Sequence, residues 1–193
     1  HAAITERAFP GAAVAVGRGE TVVKLQGYGH YTYDGVQAVT PQSVFDLASM
    51  TKVVATTTAA MLLYEDDRLA LDAPVARYLP AFAQNGKDDV TIRHLLTHTS
   101  GLPAYRPFHR EGITTREGVI DHIMGVGLDF APGSQMQYSD FGMITMALVI
   151  EGITGQDFAT YAEEHIFGPL GMDDTGFRSV GTPDTTVVPT EVD

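Results

Sequence analysis

The chain has 193 residues, no Cys and no Trp, and a formal charge of −12 from 12 Lys and Arg against 24 Asp and Glu. With 44% hydrophobic and 19% charged residues, it has enough apolar surface to offset chain entropy, so composition excludes a disordered chain and suits one domain or slightly more. The acidic balance repels phosphate backbones and anionic lipid, which excludes nucleic acid as a partner, and the absent thiols exclude cysteine catalysis, disulfides and Cys-ligated zinc.

Residues 12–16 follow Pro10-Gly11, and residues 21–25 follow the turn Gly17-Arg18-Gly19-Glu20, so the chain opens on a β-hairpin. A lone hairpin is marginal in water and needs further strands or a helix to cover it. A second turn cluster, Tyr33-Asp34-Gly35, precedes Thr40-Pro41, and Val44-Phe45-Asp46-Leu47-Ala48 leads into a helix. From Ser49 the apolar positions Met50, Val53, Val54, Met61 and Leu62 keep helical spacing to Asp66-Asp67-Arg68, which predicts a long helix buried on most sides. Thr91 is placed to N-cap a short helix over 92–97, stopped by Gly101 and Pro103. Helical patterns recur over about 115–124, 140–153 and 157–166, each ending near Gly or Pro. The stretch 175–193 shows no helical period and reads as a loop or the start of an extended segment. The longest apolar run, 143–153, contains Thr145, Glu151 and Gly152 and falls short of the roughly 20 residues of a membrane span. The start His1-Ala2-Ala3, without Met, reads as processed or trimmed.

Ser49-Met50-Thr51-Lys52 sits where the extended lead-in becomes the long helix. Ser49 and Lys52 lie on one face a turn apart, close enough for the amine to accept the hydroxyl proton. Backbone N–H groups at the helix start can hold an oxyanion as Ser49 attacks a carbonyl. Lys52 acts as a base only where burial or positive neighbours depress its pKa, and Met50, Val53 and Val54 offer apolar surroundings for that. The competing reading makes Ser49 an ordinary N-cap and Lys52 a solvated residue, although a cation at a helix start opposes the macrodipole. Tyr138-Ser139-Asp140 is the second candidate, at the turn from Pro132-Gly133 into an apolar helix. Its phenol can shuttle a proton and Asp140 can hold Lys52 or a substrate donor; otherwise Ser139 or Asp140 caps the helix and Tyr138 packs. His94 and His98 have a metal-like spacing, but Leu95 stands where a zinc-peptidase helix needs Glu. His98 is therefore read as a hydrogen-bonded residue fixing the turn Thr99-Ser100-Gly101. No Ser occupies a Gly-x-Ser-x-Gly elbow, which argues against the α/β-hydrolase arrangement.

Four segments together resemble the serine β-lactamase-like family of class C β-lactamases, penicillin-binding DD-peptidases and related esterases. They are Phe45-Asp46-Leu47-Ala48-Ser49-Met50-Thr51-Lys52, Leu71-Asp72-Ala73-Pro74-Val75 with Tyr78-Leu79-Pro80, the run from Thr91 through His98-Thr99-Ser100-Gly101-Leu102, and Tyr138-Ser139-Asp140. Phe167-Gly168-Pro169-Leu170-Gly171-Met172 continues the match. The resemblance implies an α/β fold, a three-layer αβα domain with an inserted helical region. In those terms, residues 1–72 hold the hairpin and nucleophile helix, 73–172 the helical region, and 173–193 a tail. It also implies Ser49 as nucleophile, Lys52 as base or proton relay, Tyr138 as third catalytic group, Asp140 as substrate-binding or relay residue, and no metal or organic cofactor.

The family usually has Asn where this chain has Asp140. A carboxylate only accepts hydrogen bonds, and beside Lys52 it favours the ammonium, which shifts the burden of base to Tyr138. That favours a peptidase or esterase over a β-lactamase. The family's third motif, Lys or His followed by Ser or Thr and Gly on a strand, is not found. The resemblance therefore covers an N-terminal portion with an incomplete sheet. A C-terminal segment of the same protein is expected to supply the remaining strands, that motif and the second oxyanion donor. The expected function is acylation of Ser49 and hydrolysis of a small-molecule or peptide amide or ester, such as a D-alanyl peptide. The alternatives are a class C-type β-lactamase and a non-hydrolytic penicillin-recognising or scaffold domain. Cell-wall substrates of this kind imply a periplasmic or secreted protein.

Overall fold

Strand Gly11–Arg18 (β1) turns through Gly19 and Glu20 into strand Thr21–Gly29 (β2), and the two pair antiparallel with Gly11 opposite Gly29. Gly19 at φ 57° supplies the left-handed backbone that a tight hairpin turn demands. The register shifts between Val16 and Gly17 near the turn, and at the other end the pairing extends four residues further along β2, to Gly29, than the alternating pattern predicted. Gly27 permits a close approach: a Cβ there would lie 2.1 Å from the carbonyl oxygen of Val39. In this computed structural model residues 2–178 and 186–190 are described.

The chain divides into two compact units, one formed by His1–Ala48 with Arg178–Asp193 and the other by Ser49–Phe177. The first is a mixed unit. It adds to the hairpin a short helix Ala2–Thr5 (α1) and a parallel pair in which Val44–Phe45 (β3) runs beside Val187–Val188 (β4). Its buried cluster is small: Tyr31, Val39 and Val188, with Phe45 packed against them. The tail is thus extended where it is described, while residues 179–185 and 191–193 lie outside the described residues.

The second unit is helical. A π-helical segment Lys52–Thr57 runs into Thr58–Glu65 (α2), and the hydroxyls of Thr57 and Thr58 donate to the carbonyls of Lys52 and Val53, five residues back. That hydroxyl pattern accounts for the widened turn, which apolar spacing alone does not reveal. Ile92–Leu96 (α3) begins in a capping box, with Thr91 Oγ1 accepting from His94 N and His94 Nδ1 accepting from Thr91 N. Arg116–Gly125 (α4), Asp140–Thr154 (α5) and Phe158–Ala162 (α6) begin on the side-chain caps Thr115, Ser139 and Asp157. A second π-helical segment, Glu163–Phe167, continues α6.

Helix α5 is the centre of this unit, burying Phe141, Met146, Val149 and Ile150 against Ala59, Leu63, Leu95 and Tyr161. The expectation that the helix from Ser49 is buried on most sides is corrected. Met50, Val53, Met61 and Tyr64 are 55%, 58%, 63% and 54% exposed. A stripe of Ala55, Ala59, Ala60 and Leu63 is enough to seat the helix, and small residues on that stripe draw it close while the larger ones turn outward.

Candidate active site

Ser49 lies at the start of the long helix, exposed, directly after Ala48, whose φ of 43° is left-handed and whose N–H donates to Asp46 Oδ1 at 2.8 Å. One turn on, the Lys52 side chain folds back, and its Nζ donates to Ser49 Oγ at 3.0 Å. The predicted shared face is therefore realised despite the π turn. Tyr138-Ser139-Asp140 meets this pair from the start of α5. Asp140 Oδ1 lies 2.7 Å from Lys52 Nζ, and that amine sits 5.0 Å from the centre of the Tyr138 ring. The four sequence-predicted residues thus come together in one unit.

Ser139 takes the capping role, with its Oγ accepting from Gly142 N at 3.1 Å. This frees the residues on either side: Tyr138 is 49% exposed instead of packed away, and Asp140 turns to the lysine. A segment from the end of α3 holds the corner in place. His98 Nδ1 accepts from Ser139 N at 3.1 Å, the His98 carbonyl accepts from Gln137 N at 2.8 Å, and the Ala104 carbonyl accepts from Asp140 N at 2.7 Å. Ser139 Oγ also donates to the Pro103 carbonyl at 2.6 Å. His98 is accordingly corrected from a residue fixing its own turn to one reaching a segment 41 positions away. The only local sign of this was a histidine immediately before Thr99-Ser100-Gly101. His94, the other member of the metal-like pair, is engaged in the cap of α3. Among the described residues no group of His, Asp and Glu has the geometry to hold a metal ion.

The electrostatics revise one expectation. Burial would lower the Lys52 pKa, but hydrogen bonds to Asp140 and Tyr138 and their negative charge outweigh it, and the amine is raised above its ordinary 10.5. Of the apolar neighbours invoked to depress it, Met50 and Val53 are exposed while Val54 is half-buried, so burial lowers the amine without deciding the direction. Lys52 is therefore an ammonium at neutral pH. The Tyr138 phenol moves the other way: hydrogen bonds with Ser49 and then Lys52 lower it below 10.0. A lysine ammonium has three N–H donors and no acceptor, and here they meet Ser49, Asp140 and Tyr138.

The family model described as Beta-lactamase matches residues 2–191. The chain belongs to the beta-lactamase family. The esterase EstB of Burkholderia gladioli is 35% identical over 97% of this chain and 52% of its own length. A penicillin-binding protein of Bacillus subtilis (strain 168) is 33% identical over 86% of this chain and 38% of its own. Among solved structures, the octameric penicillin-binding protein homologue of Pyrococcus abyssi superimposes with a TM-score of 0.75 at 26% identity, over 88% of this chain and 41% of that one. The α/β fold expected from the resemblance is thus the fold of its family, and the chain spans about half or less of the length of these relatives. No helix among the described residues is long and apolar enough to cross a membrane.

Proposed function

We propose that the protein is a serine hydrolase that forms an acyl-enzyme on Ser49 and hydrolyses it, acting as an esterase or a penicillin-binding DD-peptidase-like enzyme. Ser49 Oγ attacks the carbonyl carbon of an ester or amide, its proton passes to the Tyr138 phenolate oxygen, and the resulting phenol returns that proton to the leaving alcohol or amine. Water then attacks the acyl-enzyme with Tyr138 again as base, releasing the acid and restoring the serine. Lys52 acts as a fixed positive charge that stabilises the phenolate, and Asp140 holds that charge in place.

The observation that carries this reading is the placement of Lys52 Nζ 3.0 Å from Ser49 Oγ and 2.7 Å from Asp140 Oδ1. A lysine so paired is a poor base, and its neighbour with the lowered pKa is a phenol. Asp140, unlike an amide, offers no N–H to a substrate carbonyl, which favours esterase or peptidase over β-lactamase chemistry.

The N–H of Ser49 is one oxyanion donor in this reading. The second, with a Lys or His, Ser or Thr, Gly strand, comes from a C-terminal segment of the same protein, a role supported by the 52% and 38% of the relatives' lengths covered here. A cell-wall peptide substrate would set the protein in the periplasm or outside the cell. The test incubates the full-length protein with a fluorescent penicillin and with nitrophenyl esters, following label on Ser49 and release of product. Labelling with turnover is expected. Labelling without turnover leaves a penicillin-recognising protein, and absence of label refutes the assignment of Ser49.

A further inference from the structure

We propose that His98 is a positioning residue: its unprotonated Nδ1 holds the Tyr138-Ser139-Asp140 corner against Ser49 and Lys52, and protonation of the ring releases that hold. This rests on the serine hydrolase reading above and adds a pH-sensitive element to the same site.

The corner is fastened by four hydrogen bonds to residues 98–104. Gln137 N donates to the His98 carbonyl, Ser139 Oγ to the Pro103 carbonyl and Asp140 N to the Ala104 carbonyl. The fourth, from Ser139 N to His98 Nδ1, is the one whose acceptor titrates. An N–H needs a lone pair, so the ring must be the neutral tautomer with its proton on Nε2. Protonation puts a second N–H at Nδ1, facing that of Ser139, and the bond becomes a contact between two donors.

The ring also lies against Tyr138, with centroids 4.6 Å apart and planes at 39°, so displacement of one ring displaces the other. The charged and titratable groups facing His98 are Lys52, Asp140 and Tyr138. Burial first, and the Lys52 ammonium second, push the imidazole below its ordinary 6.5, while Asp140 opposes them. The hold is therefore present at neutral pH and lost in acid.

His98 adopts a left-handed backbone with φ 56°. Among residues other than Gly, Asn, Asp and His accept this conformation best. Asn also carries an oxygen as many bonds from the backbone as Nδ1, so His98→Asn keeps both the backbone and the acceptor while removing the titration. His98→Leu removes the acceptor.

The experiment measures Ser49 acylation by a nitrophenyl ester against pH in the full-length wild type and both variants, with melting curves to normalise for folded protein. Protonation of the Tyr138 base gives wild type and both variants a common fall in rate toward low pH. Below neutrality the wild-type rate is expected to fall more steeply, through a second acid limb that disappears in His98→Asn, whose rate above neutrality stays within about threefold. His98→Leu should lose on the order of 10²-fold in kcat at all pH values, with KM little changed, the size expected of a small misplacement. A wild-type profile no steeper below neutrality than that of His98→Asn overturns the proposal.

Nitrogen NMR of uniformly ¹⁵N-labelled protein separates this from the hydrolase reading. If wild-type Ser49 does not react, that reading fails. A bare Nδ1 on His98, with the Ser139 amide shifting at the same midpoint as the ring, still sustains the hold. A proton on Nδ1 in the neutral ring overturns it.

Discussion

The helical unit and the strand unit of this chain bury their residues very differently. In Ser49–Phe177 a continuous apolar cluster surrounds α5, with Phe82, Leu95, Ile123, Met146 and Ile150 fully buried, and all four candidate site residues belong to it. In the other unit the cluster reduces to Tyr31, Val39 and Val188, and the hairpin leaves Val22 and Val23 66% and 65% exposed. Side chains of consecutive strand residues point to opposite faces in a regular ladder, and Lys24 and Leu25, paired with Val16 and Ala15 beside the register shift, are both exposed, so neither face of β2 is covered within this unit at that point. Core and candidate chemistry are thus properties of one unit, while the other presents apolar strands with little to pack on.

The strongest way to break this contrast is to remove the chemistry from the helical unit. Ser49→Ala should lower acylation by on the order of 10⁴-fold or more, measured with a nitrophenyl ester, while leaving the melting temperature unchanged. Retained acylation would move the nucleophile elsewhere. Next in size is the core itself. Phe82 is fully buried in the cluster, so Phe82→Ala should cost about 3–5 kcal/mol by urea unfolding. A cost below about 1 kcal/mol would mean that the cluster does not hold this unit together.

The same unit contains a buried lysine. Lys87 is fully buried, and its Nζ donates to the carbonyls of Met124, at 2.7 Å, and Val126, while Asn85 Nδ2 donates to Gly125 O at 2.7 Å. These bonds satisfy the end of α4, where an α-helix leaves carbonyls without partners. Lys87→Met keeps the stem but removes the donors, and about 1–3 kcal/mol for an unsatisfied buried acceptor is the expected loss. Unchanged stability would mean that water replaces the amine.

Legibility from sequence followed the range of the interactions. Helices α3, α4 and α5 were readable, as were the cap Thr91 and the choice of Ser139 or Asp140 as the cap of α5, because a cap bonds to an N–H three residues away. The approach of Ser49 and Lys52 is likewise local. The outward face of the helix from Ser49, the burial of Lys87 and the reach of His98 to Ser139 were not readable. Each depends on what lies across the fold: 37 residues separate Lys87 from Met124, and 41 separate His98 from Ser139. The family resemblance brought Tyr138 and Asp140 to Lys52, and chemistry at Asp140 gave the direction of the charge. The apolar neighbours of Lys52 suggested the opposite direction because spacing does not say which of them face water.

Asp140 tests that charge directly. Replacing it with Asn removes the nearest negative charge from Lys52, so the raised pKa of the amine should fall. Lys52 is held as an ammonium below its folded pKa, so the alkaline limb of the acylation profile should move to lower pH in Asp140→Asn. The amide can also donate to a substrate carbonyl. Acylation by a penicillin should be preserved or rise by up to about tenfold, a difference of roughly 1.4 kcal/mol in the barrier. Complete loss of acylation would show that the carboxylate is itself indispensable.

The smallest expected effect lies in the hairpin and bears on the contrast between the units. Val23 stands in β2 and is 65% exposed, so Val23→Ala removes methyl groups that already face water. Only the modest preference of a β-branched residue for a strand is lost, and the stability change of residues 1–193 should stay within about 0.5 kcal/mol. The same substitution becomes more costly if strands supplied by the proposed C-terminal segment cover that face, because the methyl groups are then buried and each removed one leaves a void. Measuring Val23→Ala in the 193-residue chain and in the full-length protein therefore tells whether the exposure of β2 belongs to the protein or to this portion of it. Equal small costs in both would mean that β2 keeps this face open. A cost of about 1.5 kcal/mol or more confined to the longer protein would place a partner strand or helix on it.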